Sequence, residues 1–186
     1  MGVHGSPPNR PRDLHAGGGK EKRSSLRSFG IDPGAEGAIS VLDVDGACLF
    51  CRYLPILTTK NGPMLDLGEF ISIIIAFSVP MGARAFVEKA QPFPKNGAVS
   101  SFRYGFLYGQ ILAGLAFQEI ETHLIPPGTW KKSLGLSKSK DDSLELVRRL
   151  FPEVLFKFKK DHNRAESLLI AHYGFDGFDF NAKGKK

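Results

Sequence analysis

The sequence predicts one α/β domain, a mixed five-stranded sheet with helices on both faces, and three observations predict it. A chain of 186 residues suits a single hydrophobic core. Its first apolar runs are short and separated by turn dipeptides, as in a meander. Beyond them, runs of helical period alternate with short apolar strands, which is the pattern of an α/β sheet.

Residues 28–32, 38–43 and 47–54 are the three meander strands. Pro33-Gly34 and Asp45-Gly46 between them supply the positive-φ and fixed-φ positions that tight turns require. A helical stretch over 65–77 follows, and then Arg-Ala-Phe-Val-Glu, 84–88, reads as a buried strand. A long helix over 100–119 leads to a short strand at 122–125. The Pro-Pro-Gly at 126–128 reads as a break, and helices over 140–151 and 164–174 complete the domain, with no internal repeat.

The ends differ in composition. Residues 1–27 are rich in Gly, Pro, Ser and basic side chains and lack apolar periodicity, so a disordered arm or a processed leader is expected there. Arg10, Arg12, Lys20, Lys22, Arg23 and Arg27 against Asp13 and Glu21 fit a transit peptide, a DNA-gripping arm or a cloning remnant. Residues 28–176 form the expected domain, and 177–186 a basic tail.

A net charge of +6 and a pI near 9.4 favour polyanionic partners, nucleic acid before anionic membrane. The cysteines, Cys48 and Cys51, have C-x-x-C spacing, but a zinc site needs about four ligands and no second pair is present. In a strand, residues three apart face opposite sides, so both are read as reduced thiols. The most apolar stretch, 104–117, is too short to cross a bilayer and contains Gln110. Gly105 and Gly109 within it would let another backbone approach closely.

Four carboxylates carry the chemistry. Asp32 ends the first strand and Glu88 ends the fourth, where open α/β sheets place their sites. Asp32-Pro33-Gly34 is also ordinary turn chemistry, and a strand-end glutamate is often only solvated. Glu166 lies in the first turn of an apolar helix, preceded by Asp161, His162 and Asn163. Asn163 and Glu166 also fit a capping box. Together, clustered carboxylates in a basic chain call for hard cations, Mg²⁺ or Mn²⁺. Two such ions about 4 Å apart can activate water and stabilise the leaving oxygen of a phosphodiester.

Three motifs in order, Phe-Gly-Ile-Asp-Pro-Gly (29–34), Phe-Val-Glu-Lys-Ala (86–90) and Asp-His-Asn-Arg-Ala-Glu-Ser-Leu-Leu-Ile-Ala (161–171), resemble those of the RuvC-type Holliday junction resolvases of the ribonuclease-H-like superfamily. The last, with Thr-Trp-Lys at 129–131 and Lys-Asp-Asp-Ser at 140–143, is similar to the plastid resolvases of plants and algae and their phage relatives. The resemblance spans about 29–174. It implies a ribonuclease-H-like sheet, an acidic tetrad of Asp32, Glu88, Asp161 and Glu166 holding Mg²⁺, and a homodimer that nicks four-way junction DNA symmetrically. The bacterial enzymes place their last two acids three residues apart. Here that position is Asn163, so the fourth ligand is Asp161 or is missing.

His162 would position or activate the water, or is a solvated loop residue. Lys131 and Lys140 sit in the family-like motifs as phosphate or transition-state contacts, with Lys132 an equal candidate to Lys131. Phe93, Lys95, Arg103 and Lys138 are further DNA contacts, Phe93 as a stacking platform at the junction centre. The helix over 100–119 is a candidate dimer interface, and burial under the sheet of its own subunit would explain the same residues. No membrane partner is expected. A plastid nucleoid, or a bacterial or phage-infected cytoplasm, is the compartment implied. The rival readings are a nuclease for RNA/DNA hybrids or flaps with the same metal site, and a junction-binding protein without catalysis. An actin-like kinase would need two such domains.

Overall fold

The computed structural model describes residues 26–91, 97–137, 139–157 and 161–177. Strands β1 (Arg27–Asp32), β2 (Ala38–Leu42) and β3 (Cys48–Tyr53) form the antiparallel meander. After a separate two-stranded hairpin, β4 (Ile56–Thr59) and β5 (Gly62–Leu65), helix α1 (Leu67–Ser78) leads into β6 (Ala83–Glu88). Helix α2 (Ala98–Phe117) then returns the chain to β7 (Glu121–Ile125). The sheet order is β3-β2-β1-β6-β7, with β6 parallel to both β1 and β7. Three helices follow: α3 (Pro127–Ser133), α4 (Lys140–Leu150) and α5 (His162–His172).

Alternation along β1 assigns the two faces. Phe29 and Ile31 enter a core with Phe70 and Ile74 of α1 and Leu107, Ile111 and Leu115 of α2. The intervening Ser28, Gly30 and Asp32 face α5. Ser28 donates to the Ala171 carbonyl, 2.7 Å. At Gly30 a Cβ would collide with backbone atoms of Ser167 and Ala171. Glycine is therefore required where helix meets strand. On this second face Phe86, Ile125, Trp130, Val147 and Leu168 to Ala171 form the other core.

The structure corrects four expectations. The β4–β5 hairpin was not foreseen, because Pro63 and Gly62 weaken a strand signal in so short a run. The Pro-Pro-Gly break is the start of α3, with Pro127 at its first position, where a missing N–H costs nothing. Cys48 and Cys51 do not face opposite sides. A bulge in β3 pairs Val41 with Phe50 and Leu42 with Cys48, and both thiols pack against the α5-side core. Both remain free, and burial pushes the Cys48 thiol up to about 12. Finally, α5 begins at His162 with Asp161 as its cap residue. Asn163 is thus inside the helix, and its amide donates to the Glu36 carbonyl, 2.7 Å, rather than forming a capping box.

Among the described residues no helix is long and apolar enough to cross a membrane. Gly105 and Gly109 of α2 do not receive the subunit's own backbone, since a Cβ at either meets nothing within 4 Å. They lie on an outward face with Phe102 and Phe106, which are 74% and 51% exposed.

Candidate active site

The parallel pairing of β1 and β6 brings the first two acids together. Ile31 is in register with Val87, so the next residues, Asp32 and Glu88, end adjacent strands about 5 Å apart. Both sit in phase with residues that face α5, Gly30 on β1 and Phe86 on β6. Across the same sheet end, Asp32 pairs with Ala38 of β2, and Ala38 with Tyr53 of β3. The N-terminus of α5 is anchored here by Asn163 to the β1–β2 turn and by Arg164, whose guanidinium donates to the Cys51 carbonyl, 3.2 Å.

Helix α3 supplies the wall facing these acids. Trp130, fully buried, donates its indole N–H to Glu88 Oε2, 2.9 Å. Lys131, the next residue, donates to Glu166 Oε1, 2.8 Å. Glu166 is itself buried, 8% exposed. Burial pushes the Glu88 carboxyl above the ordinary glutamate range; the Trp130 bond opposes this, the charge of Glu166 adds to it, and Lys131 offsets it. Glu88 and Glu166 are thus near enough for the charge of one to act on the other, and Lys131 acts on both.

Asp161, 4% exposed, occupies the β3 side. Its Oδ1 accepts from the Tyr53 hydroxyl, 3.1 Å, and from Arg164, 3.4 Å. Tyr104 of α2 approaches from the opposite layer: burial, then the charges of Asp32 and Glu88, push its phenol up to about 12. Among the described residues no three acidic, histidine or cysteine side chains already close on one point as a metal cluster. The donors nevertheless suit a hard divalent ion in type and in sign. Burial first, and then the charge of Glu166, disfavour an ionised Glu88, and a bound cation would offset both.

The other expected residues are placed less uniformly. His162 opens α5, half-buried at the same sheet end. Lys131 and Lys132 are separated by the turn of α3: Lys131 reaches the site, and Lys132 is exposed. Arg103 lies against Gly62 of the β4–β5 hairpin and lines a groove of about 700 Å³ with Phe102 and Phe106. Lys140 is the first residue of α4. Phe93, Lys95 and Lys138 lie outside the described residues.

Sequence reasoning missed Trp130, Tyr104, Tyr53 and Arg164. A buried tryptophan needs a partner for its N–H, and that requirement was the available signal for the first. The others had none, because their roles depend on contacts across 108 to 113 residues of chain or on which face of α2 turns inward.

No family model matches the chain. It is 35% identical over 99 residues, half its own length, to "Holliday junction resolvase MOC1, chloroplastic" of Chlamydomonas reinhardtii. That match spans only 11% of the relative. Among solved structures it is similar to Thermus thermophilus RuvC, with a TM-score of 0.58 and 18% identity over 80% of this chain and 95% of that one. T. thermophilus RuvC in complex with Holliday junction substrate aligns with a TM-score of 0.57 and 18% identity, over 82% and 96%. Both comparisons lead to the resolvases that the three motifs resemble, and the chain has the RuvC fold, a ribonuclease-H-like mixed sheet.

Proposed function

We propose that this chain, built on the RuvC fold, is a metal-dependent endonuclease that resolves four-way DNA junctions by paired nicks. The observation that carries the reading is that Asp32 and Glu88 end adjacent strands, while neighbouring residues of α3, Trp130 and Lys131, bond Glu88 and Glu166. The similarity to the MOC1 resolvase and to RuvC solved with Holliday junction substrate supports four-way junction DNA as the substrate.

Asp32, Glu88 and Glu166 would hold the divalent ions, Mg²⁺ with Mn²⁺ as substitute, and Asp161 is the fourth candidate. Bound there, the ions supply Lewis-acid activation of water and of the phosphate. Glu88 and Glu166 would orient their carboxylates from opposite walls. Lys131 donates to Glu166 in the arrangement seen, and its ammonium would be the protein cation nearest to hand for a phosphate oxygen. For Asp161 to serve as ligand it would exchange its contacts with Tyr53 and Arg164, and those two hold it at the site meanwhile.

Junction DNA with two-fold symmetry calls for two copies. The outward face of α2, with Phe102, Gly105, Phe106 and Gly109, is the surface we assign to the second copy: small residues allow helix approach and the phenylalanines supply apolar area. A chloroplastic relative makes a plastid the compartment this reading favours.

Asp32→Asn tests the site. It keeps the shape of the side chain and removes its charge, so junction binding should persist while cleavage falls by about 100-fold or more. Full cleavage by the variant would remove Asp32 from the machinery.

A further inference from the structure

The Glu88 carboxylate is fixed by a neutral donor rather than by a cation. Trp130 reaches it from α3, and its side chain is fully buried as part of the α5-side core. A buried ring has one way to turn, so the direction of its N–H is set by packing. The bond takes Glu88 Oε2 and leaves Oε1 for another partner. Its neighbour Lys131 reaches Glu166 from the same turn of helix and lies 5.0 Å from the centre of the Trp130 ring. One short helix therefore addresses two of the candidate metal ligands.

We propose that Trp130 is a positioning residue that orients Glu88 for cation binding, and that its indole reports whether the cation is there. The proposal rests on the reading of the site given above. Partners that hydrogen-bond a ligating carboxylate orient it and raise its affinity, and removing such a partner costs about 10- to 100-fold in metal affinity or activity. An indole N–H does this without adding charge, so it restrains Glu88 without competing with the ion as a second lysine would. Because Trp130 is the single tryptophan of the chain, its emission comes only from this bond's surroundings.

The test titrates the full chain with Mn²⁺, reading free Mn²⁺ by electron paramagnetic resonance and Trp130 by its emission. In the unsubstituted protein both signals should change with one midpoint. Trp130→Phe keeps a buried aromatic ring and loses the N–H, and should bind Mn²⁺ about 10- to 100-fold more weakly. Val147→Ala, on α4, opens a cavity in the same core, and should lower the unfolding temperature while leaving the Mn²⁺ affinity unchanged.

Equal Mn²⁺ affinity in Trp130→Phe, or an emission that stays flat while Mn²⁺ saturates, overturns the role of Trp130 and leaves the metal site standing. Weakened binding in Val147→Ala to the same degree also overturns it, since the effect would then be one of core stability. If the unsubstituted chain binds no Mn²⁺, the metal-dependent reading and the role of Trp130 fail together. Should Trp130→Phe not fold, a flat emission of the unsubstituted chain through Mn²⁺ saturation still overturns the role.

Discussion

At the scale of single residues, burial sets the chemistry more than charge count does. His172 is 20% exposed, edge-on to the Phe151 ring and 3.5 Å from Asp176. Desolvation holds its pKa below the ordinary histidine range, with Asp176 only partly opposing the shift. The protonated form is therefore less costly in the unfolded chain. Its contribution to stability is fully present above the unfolded value, about 6.5, and declines as pH falls through the lower folded value. Thermal unfolding measured from pH 7.5 to 5 should show that decline, and His172→Phe should flatten it. A variant that loses stability on the same slope would assign the pH dependence elsewhere. The acids were legible at this scale: Asp32 and Glu88 stand at the ends of apolar runs, where a strand must meet solvent. Trp130 was not, because its importance lies in a bond across 42 residues that no spacing rule contains.

At the scale of elements, patterning located most of the strands and helices to within two residues, since one-face burial imposes periods of 2 and 3.6. The failures share a cause. The bulge that turns both thiols to one face, the hairpin of Gly62 and Pro63, and the helix begun by Pro127 are all places where one residue's backbone overrides the pattern around it. Helix α2 shows the complementary limit. Its sequence is apolar nearly all round, so period alone did not say which face is covered. The structure buries Leu107, Ile111 and Leu115 and leaves Phe102, Phe106, Gly105 and Gly109 outward. If a second copy covers that face, Gly109→Arg should convert a dimer to a monomer at micromolar concentration in sedimentation, with the unfolding temperature little changed. A dimer that survives the arginine would place the interface on another surface.

At the scale of the whole molecule, the positive surplus lies outside the described residues. The net charge is +6, yet among the described residues carboxylates outnumber lysines and arginines. The basic surplus belongs to residues 1–25, 92–96, 138, 158–160 and 178–186. A polyanion approaching the sheet end that holds Asp32, Glu88 and Glu166 would thus depend on those segments, and on a divalent ion in the site, to offset the acids. Basicity pointed to nucleic acid, while the described residues around the candidate site carry no positive surplus.

The decisive experiment is cleavage of a labelled four-way junction, beside linear duplex and an RNA/DNA hybrid of the same sequence, with Mg²⁺ and with EDTA. The proposed function predicts paired, symmetric nicks confined to the junction and abolished by EDTA. Preferential cleavage of the hybrid, or Mg²⁺-independent junction binding without any nick, would contradict it.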